Sequence, residues 1–316
     1  MNRGSLSERH LKKVVLNQIH KINDDLVYGP KVGNDYSYIA DGLITAEGVG
    51  SDPYIAFYKA FNNFNTSLGT YKYANTTCLY PVDIKESHIK EMTGILFDLS
   101  SERDIQILGG NSKILDEVSK PTFVVEIIGR NTDMHPTRKV KSGDYEIVVV
   151  NEVSMLGTNM LIDKYSESLQ NDFSQSFLDT AKVSTDHYSI EKAIDVIKSE
   201  DLASECDIAY IHDVSDGGIY RCLWQVGELL NKGLAVDNKL IPIHQQTIEI
   251  CESLDMNPYM IDGTGAAVVV CKNGEKLVSV LEQNGITASL IGHLTEDKER
   301  KVYFAEDEYR KLSPED

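Results

Sequence analysis

The segment from Ile208 to Leu230 constrains this chain more than any other. A short apolar run, Ile208-Ala209-Tyr210-Ile211, passes through His212-Asp213-Val214-Ser215-Asp216 into Gly217-Gly218. Apolar residues then recur at helical spacing at Ile219, Cys222, Leu223, Val226 and Leu229-Leu230. The run has the length of a buried strand, so residues 211 to 218 read as a strand-to-helix turn. Ser215 or Asp216 is expected to cap the helix, and the glycines let a ligand approach the backbone. The uncovered N–H groups and the positive end of the helix dipole favour an anion. Two carboxylates in one turn oppose a bare phosphate, so a phosphate site here needs a metal ion or a basic side chain between them. An ordinary acidic turn with a capping aspartate is the alternative reading.

The chain has 316 residues, enough for two domains with separate cores. Apolar content of 41% and charged content of 25% fit a globular protein, and no apolar run reaches the length of a membrane span. The start, Asn2-Arg3-Gly4-Ser5, runs into a charged amphipathic segment without the apolar core of a signal peptide, so a cytoplasmic location is expected. Cys78, Cys206, Cys222, Cys251 and Cys271 are scattered and form no CxxC pair, which predicts small buried thiols. A net charge of −18 disfavours nucleic acid and anionic membrane surfaces as partners. The basic cluster Arg138-Lys139-Lys141 reads as a solvated face.

Along the chain, residues 7 to 22 have helical spacing, with Ser5 or Ser7 as the expected cap. Gly33-Asn34-Asp35 is a turn leading into a strand with Tyr36, Tyr38 and Ile39. Ser51-Asp52-Pro53 opens a helix through Ile55, Phe57, Phe61 and Phe64, with Asp52 as cap and Pro53 in the first position. Thr76 to Tyr80 is a strand and residues 84 to 102 a helix. Ile105 to Leu108 is a strand entering a glycine turn, Gly109-Gly110-Asn111-Ser112-Lys113, whose backbone could hold a phosphate or carboxylate. Strands are expected at 123–129, 145–150, 266–271 and 289–293. Helical spacing covers 165–182, 189–198, the neighbourhood of Ile248 to Leu254, and 277–281. Strand and helix alternate, which gives an α/β (α+β) class.

Taken in order, Gly33-Asn34-Asp35, Ser51-Asp52-Pro53, Gly109-Gly110-Asn111-Ser112 and Asp213-Val214-Ser215-Asp216-Gly217-Gly218 resemble the turns of the AIR (aminoimidazole ribonucleotide) synthase superfamily. That superfamily includes AIR synthase, thiamine-monophosphate kinase, selenophosphate synthase and the hydrogenase-maturation dehydratase. The last third is most similar to the hydrogenase-maturation branch, through Ile241-Pro242-Ile243, Leu254-Asp255-Met256-Asn257-Pro258, Gly263-Thr264-Gly265 and Leu290-Ile291-Gly292. The resemblance runs from about residue 30 to the end, so 1–29 stands apart as the N-terminal helical segment read from its spacing. The resemblance implies an N-terminal domain at 30–143 whose sheet pairs with that of a second subunit. It implies a C-terminal α/β domain at 144–316. It also implies a homodimer with ATP and Mg²⁺ in the groove between domains, acting on a small molecule. By position, Asp35, Asp52 and Asp213 would hold the metal, and Asp213 and Asp216 would serve the chemistry. Gly109, Gly110, Asn111, Ser112, Lys113, Gly217 and Gly218 would contact the nucleotide.

Three positions depart from the family pattern. Tyr36 stands where a second aspartate is usual, Asn111 follows the glycine pair where Asp or His is usual, and Phe64 replaces an acidic ligand and is expected on the phosphate path. The hydrogenase-maturation enzyme carries its substrate on a C-terminal cysteine and selenophosphate synthase commonly uses an N-terminal one. The sequence has no cysteine after Cys271 or before Cys78, so neither activity is expected. Two readings stay open: an ATP-dependent enzyme that phosphorylates or activates a small molecule, and a non-catalytic dimeric relative with a degenerate nucleotide site and a regulatory or scaffolding role. A zinc hydrolase using His212 and Asp213 is disfavoured, because no further His or Cys sits at ligand spacing.

Overall fold

A computed structural model describes residues 6–20, 22–136, 138–140 and 145–314. Ser5, Lys141 and the expected boundary at 143/144 lie outside the described residues. The chain forms two compact units: Met1–His20, Pro30–Asn34 and Pro136–Asp316 in one, Lys21–Gly29 and Asp35–His135 in the other. We call them the C-terminal and N-terminal units.

The first helical segment is α1 (Glu8–His10), followed by a π turn at Leu11–Val15 and a 3-10 turn at Leu16–Gln18. It stops short of the expected residue 22 because Ile19 is extended. Ser7 occupies the capping position, but its hydroxyl bonds His10 Nδ1 at 2.8 Å instead of a backbone N–H.

In the N-terminal unit, strands β1 (Leu26–Tyr28), β2 (Ser37–Ile39), β3 (Leu43–Gly50), β4 (Thr70–Tyr80), β5 (Gln106–Ile114) and β6 (Thr122–Arg130) form one sheet in the order β1-β2-β3-β6-β4-β5. Helices α2 (Pro53–Asn65) and α3 (Glu86–Ser101) complete it. Every second residue of β6 is buried, the period of a strand with one face on a core. A Cβ at Gly48 of β3 would lie 2.2 Å from the Ala60 nitrogen, so glycine lets α2 lie directly on the sheet. Helix α3 is the crossover between β4 and β5, which pair in parallel.

The C-terminal unit carries β7 (Glu146–Val150), β8 (Tyr210–Val214), β9 (Gly233–Asp237), β10 (Ala266–Cys271), β11 (Ala288–Thr295), β12 (Arg300–Ala305) and β13 (Glu308–Lys311). Their order is β13-β12-β9-β11-β7-β10-β8, with β8 at one edge. The helices are α4 (Met155–Lys164), α5 (Ser166–Asp172), α6 (Gln175–Ala181), α7 (Glu191–Ser199), α8 (Leu202–Glu205), α9 (Gly218–Leu230), α10 (Gln245–Ser253) and α11 (Gly274–Gln283). Ile219, Leu223 and Val226 of α9 pack with Ile147, Val236, Val268 and Ile291 of the strands in one core. A second cluster joins Leu161, Leu169, Leu178, Ile250 and Ile261. The class is α/β as expected. The hairpin β12–β13 and helices α4 and α8 carry no signal strong enough to be read from the sequence. All five cysteines are buried free thiols, and burial pushes Cys251 up to about 11.

Further expected elements differ. Residues 109–113 are not a turn but the continuation of β5, paired in parallel with Asn75–Leu79 of β4. Gly110 permits this by adopting φ +150 where a Cβ would lie 1.7 Å from the Thr76 carbonyl oxygen, so the glycine marks close strand approach. His212 and Asp213 lie inside β8, not in the turn that follows it.

Candidate functional site

The turn after β8 is built by backbone. The Ser215 carbonyl accepts from Gly218 N at 2.9 Å and from Gly263 N at 3.2 Å. Gly217 (φ +85) holds the capping position of α9 and no side chain caps the helix, so the expected cap by Ser215 or Asp216 is not made. Gly218 is also left-handed (φ +69), and a Cβ there would stand 2.4 Å from the Tyr259 carbonyl oxygen and 2.6 Å from that of Ile261. Both conformation and space therefore demand glycine. The loop from Asn257 to Gly265 supports the turn: Tyr259 O accepts from Tyr220 N at 3.3 Å, and Asp262 Oδ1 accepts from Thr264 N at 2.9 Å. Two weak sequence motifs thus meet as one structure.

Asp213 and His212 are each 4% exposed, with His212 Nδ1 3.8 Å from Asp213 Oδ1. Asp216 is exposed on the turn. His212 Nε2 lies 2.7 Å from Gln225 Oε1 on α9, and Gln225 Nε2 donates to Glu8 Oε1 at 2.7 Å. The same Glu8 oxygen accepts from Arg221 Nε at 2.9 Å, and Arg221 also donates to the Leu6 carbonyl at 2.7 Å. Glu8 is 1% exposed, a carboxylate buried with charge-assisted partners. None of Glu8, Arg221 and Gln225 was singled out by sequence reasoning. Glu8 looks like any acid of a surface helix, and only its partners some 213 positions away give it meaning.

The Gly-x-Asp turn has its own explanation. Gly33 is left-handed (φ +75), its carbonyl accepts from the Tyr210 hydroxyl, and a Cβ there would lie 2.9 Å from the Gln225 carbonyl oxygen. Arg138 donates to Asn34 Oδ1 and stacks over Tyr210 at 5.5 Å. Arg138 therefore serves packing and not a solvated basic face.

In the N-terminal unit, Asp52 caps α2 through a 2.8 Å bond from Tyr54 N to Oδ1, with Pro53 in the first turn. Asp35 is half-buried and opens the second stretch of this unit, Asp35–His135. Gly109, Asn111, Ser112 and Lys113 are exposed along β5. Tyr36 is buried among aromatic rings, 6.4 Å from Tyr28 and 5.5 Å from His135, with its hydroxyl 3.5 Å from His135 Nε2. The ring that replaces the second aspartate is thus core. Phe64 is 0% exposed, its ring 6.2 Å from that of Tyr71 and packed against Gly129. It fills the core of the N-terminal unit, not the expected phosphate path, because the α2 face that carries Phe57 and Phe61 points into that core.

A family model described as "AIR synthase related protein, C-terminal domain" matches residues 142–305. A protein of Methanocaldococcus jannaschii named as a hydrogenase expression/formation protein is 22% identical over 226 residues, 69% of this chain and 63% of that protein. The chain therefore matches less than two thirds of the length of that curated relative. Among solved structures, one chain of a HypE-HypF complex superposes with a TM-score of 0.79 at 14% identity, covering 96% of this chain and 99% of that one. The hydrogenase maturation protein HypE in complex with ATP gives 0.72 at 14% identity, covering 98% and 92%. At such identities the likeness speaks for the fold, a two-domain AIR synthase-like arrangement of elements. The family match spans more than half of the sequence and contains the β8–α9 turn, and on that ground the chain belongs to the AIR synthase-related family.

Proposed function

We propose that this chain binds ATP with Mg²⁺ and uses it to phosphorylate or activate an oxygen of a small molecule. The observation that carries the reading is the β8–α9 turn: a buried carboxylate, Asp213, on a strand that runs into two left-handed glycines at the start of a 13-residue helix. The amides of a helix's first turn and its dipole suit phosphate oxygens, and the Gly218 backbone is packed so tightly that it forms a fixed cradle. Asp213 supplies an oxygen donor of the kind Mg²⁺ prefers, and the exposed Asp216 stands at the mouth of the turn. When bound, ATP supplies the phosphoryl group and Mg²⁺ offsets its charge. In the N-terminal unit, Asp35 and Asp52 are proposed as further carboxylates for the cation, and Gly109 to Lys113 as nucleotide contacts. The solved HypE–ATP complex supports the choice of nucleotide.

A second reading, a non-catalytic relative with a regulatory or scaffolding role, is favoured by Tyr36 and Phe64, which stand as core rings where the family has acids. A thermal-shift titration of the full chain separates the two. Saturating ATP with Mg²⁺ stabilises the native state by about 2.7 kcal/mol at a hundred times the dissociation constant, and the unfolding midpoint rises. No rise at millimolar ATP overturns the nucleotide reading. A rise that Asp213→Asn abolishes supports it, and a rise without ATP turnover across a panel of small acceptors selects the second reading.

A further inference from the structure

We infer that Glu8 is a positioning residue that fixes the tautomer of His212 through Gln225, an inference about the nucleotide and cation site that rests on the function proposed above. Glu8 can only accept, so the Gln225 group 2.7 Å from its Oε1 is the amide NH₂. The other end of the amide, the Gln225 oxygen, then faces His212 Nε2 at 2.7 Å. An amide oxygen cannot donate, so Nε2 carries the proton. In the neutral ring the lone pair is therefore on Nδ1, the nitrogen 3.8 Å from Asp213 Oδ1. With Glu8 removed, the amide is free to turn over. An NH₂ facing Nε2 would move the proton to Nδ1 and aim an N–H dipole at the carboxylate proposed to hold the cation.

The relay is built to be rigid. Glu8 and His212 are almost wholly buried, and Arg221, whose side chain is 13% exposed, holds the same carboxylate oxygen through both Nε and Nη2. All three bonds converge on Glu8 Oε1, so a glutamine at position 8 can make each of them with its amide oxygen. Partners behind a site commonly matter about 10- to 100-fold in metal affinity.

The test is ¹⁵N NMR of histidine-labelled full-length protein without nucleotide, at a pH where the ring is neutral. His212 is assigned by comparison with His212→Asn. Wild type and Glu8→Gln are expected to show the Nε2–H form. Glu8→Ala and Gln225→Met are expected to move toward the Nδ1–H form, and Gln225→Met leaves the Glu8–Arg221 pair in place should Glu8→Ala fold poorly. Titration with ATP and Mg²⁺ is expected to give about tenfold weaker binding in these two variants, and binding within about twofold of wild type in Glu8→Gln. An Nδ1–H ring in the wild type, or an Nε2–H ring unchanged in both Glu8→Ala and Gln225→Met, overturns the inference. The expected tautomers with no nucleotide binding to wild type would sink the function proposed above and leave the role of Glu8 standing.

Discussion

Asp52 carries two proposed duties that substitution can separate. As a cap it accepts from Tyr54 N, and asparagine caps about as well as aspartate while alanine costs about 1 kcal/mol. Asp52→Asn is therefore expected to unfold in urea at the wild-type midpoint but to bind ATP with Mg²⁺ less tightly. Asp52→Ala is expected to lose about 1 kcal/mol of stability as well. An asparagine variant with unchanged binding would confine Asp52 to capping. Gly218 has no such division. A methyl group there meets two carbonyl oxygens at 2.4 and 2.6 Å in a left-handed backbone, so Gly218→Ala is expected to cost about 2 kcal/mol or more by chemical denaturation. A near-neutral change would show that the turn can shift and is not a fixed cradle.

Helix α9 is held on its outer side by charge as well as packing. Glu228 receives Lys12 from the N-terminal segment and Arg300 from β12 at 2.9 Å, and both cations lie over the Trp224 ring, Lys12 at 5.5 Å and Arg300 at 4.6 Å. Partial burial pushes the Glu228 carboxyl up, but the bonds from Lys12 and Arg300 outweigh it and leave the group below its usual value. In acid the unfolded chain therefore takes up this proton first. The contribution is full above the ordinary glutamate range and fades as pH falls through the native value. Unfolding free energy measured against pH is expected to decline less steeply in acid for Glu228→Gln than for wild type, with up to about 1 kcal/mol at stake. Equal slopes would assign the pair no net effect.

Among the elements, those with strong periodicity were legible: α2, α9, β6, β7 and β10 lie within a few residues of their expected places. The register of Gly109–Lys113 was not, since glycine, asparagine and serine together favour turns and only the neighbouring strand β4 makes this run extended. The order of the four motifs exposed the family and marked the β8–α9 turn. The relay behind that turn stayed hidden because Glu8, Arg221 and Gln225 have ordinary helical contexts and meet only in three dimensions.

The N-terminal unit ends its sheet in β5, with Leu108 58% and Ile114 56% exposed, and Val49 of β3 is also 49% exposed. A nine-residue edge strand with apolar side chains is an aggregation liability unless something covers it. Sheet pairing with a second copy, as the family resemblance implies, would cover it. Sedimentation equilibrium is expected to give a dimer, and the double variant Leu108→Lys with Ile114→Lys to weaken it at least tenfold. A monomer at every concentration would remove the pairing from the proposal. No helix among the described residues is long and apolar enough to cross a membrane.

The attachment of Glu8 to Arg221 also sets the order of events during synthesis. Glu8 has its partners 213 or more positions downstream, so its segment cannot dock until α9 has been made. Strands β7, β10 and β11 must then assemble the sheet on which α9 rests, and β10 and β11 come later still. The N-terminal unit can form in the meantime from contiguous chain, with only the Pro30–Asn34 stretch held out for later use. The segment around Glu8 thus finds its place only after chain made much later than itself, and closing so long a loop slows that step.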